Sequence, residues 1–262
     1  MLTKWLESST KGVQISLAIG LIGTFSALCY YPLQWSMLWS VLLGYFLYGC
    51  LGIVVTFHRG LTHSSYIMRP TLRNLFSVLG SVGCTGSPLS WVAIHVNHHL
   101  KSDKIDDPHS PKYKGWRMFL FDYEANIDHD TKWKIRKLVA DKFQQALHRY
   151  YFLIVFGWSL LLFLVGGFWL MIFGHWAPAV FTAFMSNLVN VIGHKPKWIG
   201  GFRTYQLRDE SANNWLFAIP SFGEAWHNNH HRWPKRSMFS DRWYKIDIAG
   251  LIINLVRSPS PK

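Results

Sequence analysis

From Gly12 to Phe57 the chain carries no Asp, Glu, Lys or Arg, and a second uncharged run extends from Tyr150 to His194. These blocks are 46 and 45 residues long. A helical membrane crossing needs about 20 apolar residues, so each block holds two crossings and a short turn. Turn signals sit inside both, at Tyr31-Pro32 and at Gly174-His175-Trp176-Ala177-Pro178. The pattern predicts spans near 13–31, 36–57, 151–173 and 177–194, arranged as two hairpins. Polar sequence between and after them, 58–149 and 195–262, is expected to form a helical cap. The expected fold is an all-α integral membrane protein with four transmembrane helices, a single domain over 1–262. A soluble helical core rarely leaves two uncharged stretches of this length. The first is also too long, and lacks the small-residue cleavage site, for a removed signal peptide.

Composition sharpens the topology. Half of the residues are hydrophobic, yet the net charge is +13, with 27 Lys and Arg against 14 Asp and Glu. Both hairpin turns lack Lys and Arg, so the positive-inside rule puts both termini and the cap on the cytoplasmic face. Sequence does not distinguish a bacterial inner membrane from the endoplasmic reticulum. Cys29, Cys50 and Cys84 lie in or near apolar segments at wide spacings, which excludes a disulfide framework and a zinc ribbon. The basic cap (Lys101 to Arg117, Lys132 to Lys137, Arg232 to Arg236) is expected to attract membrane lipid head groups or an acidic protein. Nucleic acid is not an expected partner, because the charge faces a bilayer and no reading motif accompanies it.

Eight of the 13 histidines form three groups. His58 and His63 make a His-x4-His box directly after the second span. His95, His98 and His99 make His-x2-His-His, and His227, His230 and His231 repeat it. Residues three and four apart share a helix face, so His95 can pair with His98 or His99 around a metal. Adjacent histidines diverge by about a quarter turn, which lets one box serve two neighbouring ions. His-x4-His does not stay on one face of a regular helix, so the first box is expected to span a helix end. A ninth candidate is His194, with Asn190 one turn before it, because polar groups at the end of a span are costly and usually functional.

Asp106, Asp107 and Glu224 are expected to orient imidazoles by accepting their second ring N–H. His109, His129, His148 and His175 read as ordinary, His175 lying in an outer turn away from the site. The broken apolar segment Leu75 to Leu89, with Gly80, Gly83, Gly86 and Pro88, is expected to lie at the interface or dip into it. So many imidazoles without thiolates exceed the needs of one zinc and suit two ions of higher coordination.

Three motifs carry a resemblance: His58-Arg-Gly-Leu-Thr-His63, Trp91-Val-Ala-Ile-His95-Val-Asn-His98-His99 and Gly223-Glu-Ala-Trp-His227-Asn-Asn-His230-His231. Together they resemble the membrane fatty acid desaturases, most closely the delta-9 acyl-CoA and acyl-lipid branch. Asp107-Pro108-His109-Ser110 and Asn190 to His194 match it as well. The resemblance implies a four-helix stem, a cytoplasmic cap and a di-iron centre, with zinc as a substitute in a purified protein. It implies metal binding by His58, His63, His95, His98, His99, His194, His227, His230 and His231, and by Asn190 through a water. The reaction implied is insertion of a cis double bond, on the delta-9 pattern, into a saturated chain of acyl-CoA or acyl-lipid, using O₂ and two electrons.

One departure leans toward the bacterial and acyl-lipid pattern. Animal acyl-CoA enzymes carry an Arg-Asp pair just before the second box, where this chain has Ala93-Ile94. No fused cytochrome b5 domain is expected, and the electrons are expected from a separate donor of the cytochrome b5 or ferredoxin type. Two other readings share these residues. A histidine-rich membrane hydroxylase or ketolase differs in product, and a metal transporter or sensor would place its ligands nearer the bilayer midplane.

Overall fold

The computed structural model describes residues 2–121, 128–195 and 197–259, with side chains from Lys11 onward; the parts of the expected cap at 122–127, 196 and 260–262 lie outside it. In chain order it contains α1 (Leu2–Tyr30), α2 (Trp35–Tyr45), a π-helix (Phe46–Thr62), α3 (Pro70–Val82), α4 (Pro88–Lys101) and α5 (Pro111–Lys114). A 3₁₀ turn (Gly115–Leu120), α6 (His129–Ala140), α7 (Lys142–Arg149) and α8 (Tyr151–Met171) follow. A second π-segment (Ile172–Trp176) leads into α9 (Ala177–Gly193), and α10 (His227–Arg232) and α11 (Ile248–Val256) complete the helices. Gly201–Phe202 and Asn213–Asn214 form β1 and β2, a small antiparallel pair.

Three helical stretches among the described residues are long and apolar enough to cross a membrane: Lys11–Tyr30, Trp35–Thr62 and Tyr151–Gly193. The last is not one straight rod. Gly166 and Gly167 leave helical geometry, and Gly167 takes φ 64°, ψ −162°, a conformation essentially reserved for glycine. Beyond them the chain folds back on itself. Trp176 Nε1 donates to Ser159 Oγ at 2.7 Å, although the two are 17 residues apart. The reversal therefore falls at Gly166-Gly167, which corrects the turn expected at 174–178. Pro178 is accommodated there because the helix ahead of it is widened into π-geometry at Ile172–Trp176, the kind of local insertion that absorbs a helix irregularity. His175 is correspondingly not in an outer turn. It is fully buried, with Nε2 3.0 Å from the Val82 carbonyl.

The π-helix Phe46–Thr62 matters for the site. Its threonines bond five residues back, Thr56 to Leu51 O and Thr62 to Phe57 O, and His63 N reaches His58 O at 3.2 Å. Hydrogen bonding from i to i+5 brings residues five apart toward one face, which an α-helix does not. His58 and His63 are therefore presented together, with His63 as the cap.

α3 runs back along the π-helix and α4 returns, so Gly83–Ser87 forms the tip of a helical hairpin. Cys84 at that tip is buried with Val13, Leu17, Phe173 and Trp176, side chains of the apolar spans. The segment Leu75 to Leu89 thus enters the apolar bundle. Its return is fixed by Ser87, whose Oγ accepts from Ser90 N at 3.3 Å and pairs with His148.

The approach of α3 to the π-helix admits no side chain. A Cβ on Gly52 would stand 2.3 Å from Gly80 N, a backbone atom that cannot move aside. Gly52→Ala is expected to cost about 1–3 kcal/mol or more and to lower the melting temperature in detergent. Gly157→Ala, at a position with open space, should leave it unchanged or raised; equal melting of both variants would contradict this packing.

Candidate metal centre

All nine singled-out histidines meet in one buried region, and they divide into two groups. His58, His63, His95, His99 and His230 form one; His98, His194, His227 and His231 form the other, with ligand atoms in each within 4.8 Å of one another. The division follows helix geometry. On α4, His95 and His99 are one turn apart and serve the first group, while His98 points into the second. On α10, His227 and His231 serve the second group, while His230 points into the first. Each His-x2-His-His box therefore spans both groups, in opposite senses.

Nitrogen spacing tests whether metals fit. Nε2 atoms stand 3.1 Å apart for His58 and His230, 3.0 Å for His95 and His99, 2.9 Å for His99 and His230, and 3.1 Å for His194 and His227. Nitrogens about 2.1 Å from a common ion and at right angles would be about 3.0 Å apart; tetrahedral ligands would be about 3.4 Å apart. The residues fit metal ions, and the spacing favours coordination above four.

Carboxylates fix the rings from behind. His58 Nδ1 pairs with Glu224 Oε2, His98 Nδ1 lies 2.8 Å from Asp107, and the Nδ1 atoms of His194 and His231 lie 3.0 Å from Asp103 and Asp209. Each contact directs Nε2 forward, the arrangement that orients metal-binding imidazoles. Asp107 and Glu224 make such contacts. Asp106 does not: it is exposed, and no histidine bonds to it among the described residues. Asp103 takes that place, in a left-handed turn (φ 61°) whose N–H donates to Asp107 at 2.9 Å. Asp103 and Asp209 were not found from sequence. Asp103 follows the second box by four residues, a usable signal; Asp209 sits in an irregular loop with none.

The groups differ in charge. The first has one carboxylate, Glu224, which is itself neutralised by the fully buried Arg59: Nε and Nη2 donate to Glu224 at 3.1 and 2.8 Å, and Nη1 to Asp247 at 2.8 Å. The second group has three, Asp103, Asp107 and Asp209. Arg59 also lies over the Phe239 ring at 3.8 Å, and so joins the first box to the third and to the start of α11.

Burial followed by mutual repulsion holds His63, His95, His99, His227, His230 and His231 well below the usual imidazole range. His98 goes up, because Asp107 outweighs the opposing effect of burial. Burial opposes ionisation of Asp107 too, but His98 brings its carboxyl down to about 2. Most of the cluster is thus neutral near pH 7, with lone pairs available to a metal.

An apolar cavity reaches the cluster. Its walls include Tyr45, Gly49 and Ile53 of the second span, Thr85 of the α3–α4 tip, Met185 of α9, and His58, His95 and His227. Trp91 stacks on His95 with ring centres 4.9 Å apart. His109, read as ordinary, lines this cavity beside His98 (centroids 5.1 Å apart). Asn190 lines it too, with its Nδ2 donating to Ser186 O at 3.2 Å. Ala93 and Ile94 are buried among apolar side chains. His129 is exposed on α6.

The sequence profile described as Fatty acid desaturase matches residues 33–247. The chain is 31% identical over 242 residues to the sn-1 stearoyl-lipid 9-desaturase of Anabaena variabilis, covering 90% of this chain and 86% of that one. It is 31% identical to Delta-9 acyl-lipid desaturase 2 of Arabidopsis thaliana, covering 84% and 71%. It is also 31% identical to the Acyl-CoA C20 Delta5-desaturase of Anemone leveillei, covering 90% and 76%.

The six histidines of the cluster with depressed pKa, and His109 with them, take up protons on unfolding below about pH 6.5 that they do not hold when folded, so stability rises with pH in that window. His98 acts in the opposite sense but is one against seven. The metal-free protein is therefore expected to melt at progressively lower temperature as pH falls from 7 to about 5. A flat or rising profile in differential scanning fluorimetry would contradict this.

Proposed function

The chain belongs to the fatty acid desaturase family, and from that premise we propose that it introduces a cis double bond at the delta-9 position of an acyl chain esterified to a membrane lipid. The observation that carries this reading is the paired histidine groups, each built from both His-x2-His-His boxes, at the head of an apolar cavity. The acyl-lipid names of similar proteins, and the absence of charge at Ala93-Ile94, favour a lipid carrier over acyl-CoA.

In this reading two irons would be held by the nine histidines, His58, His63, His95, His99 and His230 around one, and His98, His194, His227 and His231 around the other. Asn190 would complete the smaller set through a water. When bound, the metals supply activation of O₂ for attack on an unactivated C–H bond. The balance is one –CH₂–CH₂– unit, O₂, two electrons and two protons giving –CH=CH– and two waters. The protein's own residues do the remainder. Gly49, Ile53 and Met185 exclude water from the chain, Trp91 holds the His95 ring, and Asp103, Asp107, Asp209 and Glu224 hold those of His194, His98, His231 and His58.

The electrons come from a separate carrier of the cytochrome b5 or ferredoxin type, drawn to the basic cap. Membrane lipids surround a single domain of four spans in two hairpins, 11–30 with 35–62 and 151–165 with 168–193. The histidines and both termini lie on the cytoplasmic side.

Lipid profiling of a host expressing the protein tests the reaction. Wild type should yield acyl chains two hydrogens lighter, with the double bond at carbon 9. His98→Ala and His231→Ala should each lower that product at least a hundredfold while membrane insertion persists. Oxygen retained in the product would instead indicate hydroxylation, and a double bond formed by either variant would refute the ligand assignment.

A further inference from the structure

The segment 215–222 and α11 fall within the expected cytoplasmic cap, and both pack against an apolar helix. Pro220 O accepts from Tyr45 OH at 2.8 Å, and the Phe222 ring lies 4.7 Å from that of Tyr45. Tyr45 belongs to the apolar helix Trp35–Thr62, well before its histidine end. α11 follows directly: Ala249 N donates to Phe222 O at 3.0 Å, and Ala249 and Ile253 are fully buried with Val54, Val55 and Met185 of the spans.

Among the described residues, none covers the opposite face of this layer. α11 contains no charged residue from Ile248 to Val256, and its outward side chains Leu251 and Leu255 are 56% and 85% exposed. Trp215, Ile219 and Ile246, which line one surface groove, are exposed as well. Large apolar side chains exposed in such number mark an interaction surface. Exposed Arg242 and Arg257 flank it, and Trp243 and Tyr244 stand beside Arg242, the order in which side chains meet lipid head groups and then acyl chains.

We propose that Trp215–Phe222 and α11 are seated in the bilayer as a half-inserted wedge. Its partner is the acyl region of the leaflet on the histidine side. On the flank of α11, Ile252 and Val256 pack in one apolar cluster with Phe46 and Leu51 of the helix Trp35–Thr62, and this adjacency to a span selects lipid over a second copy of the chain. Ser221, inside the same turn, lines the cavity that reaches the histidines, so the wedge also closes that cavity against the leaflet. The inference rests on the membrane reading of the three apolar helices.

Nitroxide accessibility in lipid nanodiscs tests it without reference to activity. In a Cys29→Ser background, which leaves only the buried Cys50 and Cys84, a label is placed at Leu251→Cys or Leu255→Cys. References are Leu160→Cys, exposed on an apolar span, and Lys132→Cys, exposed on α6. Labels at 251 and 255 should collide with O₂ in preference to a water-soluble nickel chelate, as at 160. Ratios like that at 132 would overturn the proposal, and so would shielding from both reagents with spin–spin broadening, which would reveal a second copy. Nickel access at 160 itself would instead refute the membrane reading. Both positions are surface sites, so either label suffices if the other variant fails to fold.

Discussion

Everything in this structure depends on holding nine imidazoles close together with their nitrogens aimed inward. Left to themselves such rings would take up protons and separate, or rotate to find other partners. Two devices prevent this. Burial keeps six of them neutral, and carboxylates at the Nδ1 side of His58, His98, His194 and His231, the last also one of the six, fix ring orientation. The cost of burying those carboxylates is met by pairing, most completely around Arg59. Removing one partner of such a buried group typically costs 3–5 kcal/mol, about the scale of a domain's margin of stability.

The remainder of the fold can be understood as support for that convergence. The π-helix brings His58 and His63 together, α4 and α10 each divide their boxes between the two groups, and α9 ends where His194 must stand. The resulting groups are unequal. One has five imidazoles and a single neutralised carboxylate; the other has four imidazoles and three aspartates. A cation in the second group would sit in the more negative surroundings, a difference built by the chain before any metal arrives.

Much of this was legible in the sequence because it depends on local spacing. The uncharged runs mark the apolar helices, and helix geometry separates His98 from His99 and His230 from His231. Asp107 and Glu224 lie close in sequence to the rings they serve or to their neighbours. What was not legible depends on how distant segments meet. Which box shares an ion with which requires the relative placement of α4 and α10. Asp103 and Asp209 acquire their roles only when loops from two regions close over His194 and His231. The chain reversal was misplaced because Gly174 and Pro178 look like a turn, whereas a widened helix accommodates the proline and Gly166-Gly167 does the turning. The tail reads as cap because its basic residues dominate the count, and the packing of Phe222 against Tyr45 depends on a contact between distant segments.

The most direct test of the central claim is metal content combined with K-edge X-ray absorption on the purified, fully loaded protein. Two ions per chain, each in a coordination sphere dominated by nitrogen and lacking sulfur, is the result this account predicts. A single ion per chain at saturation, or a sulfur donor in the coordination sphere, would contradict it.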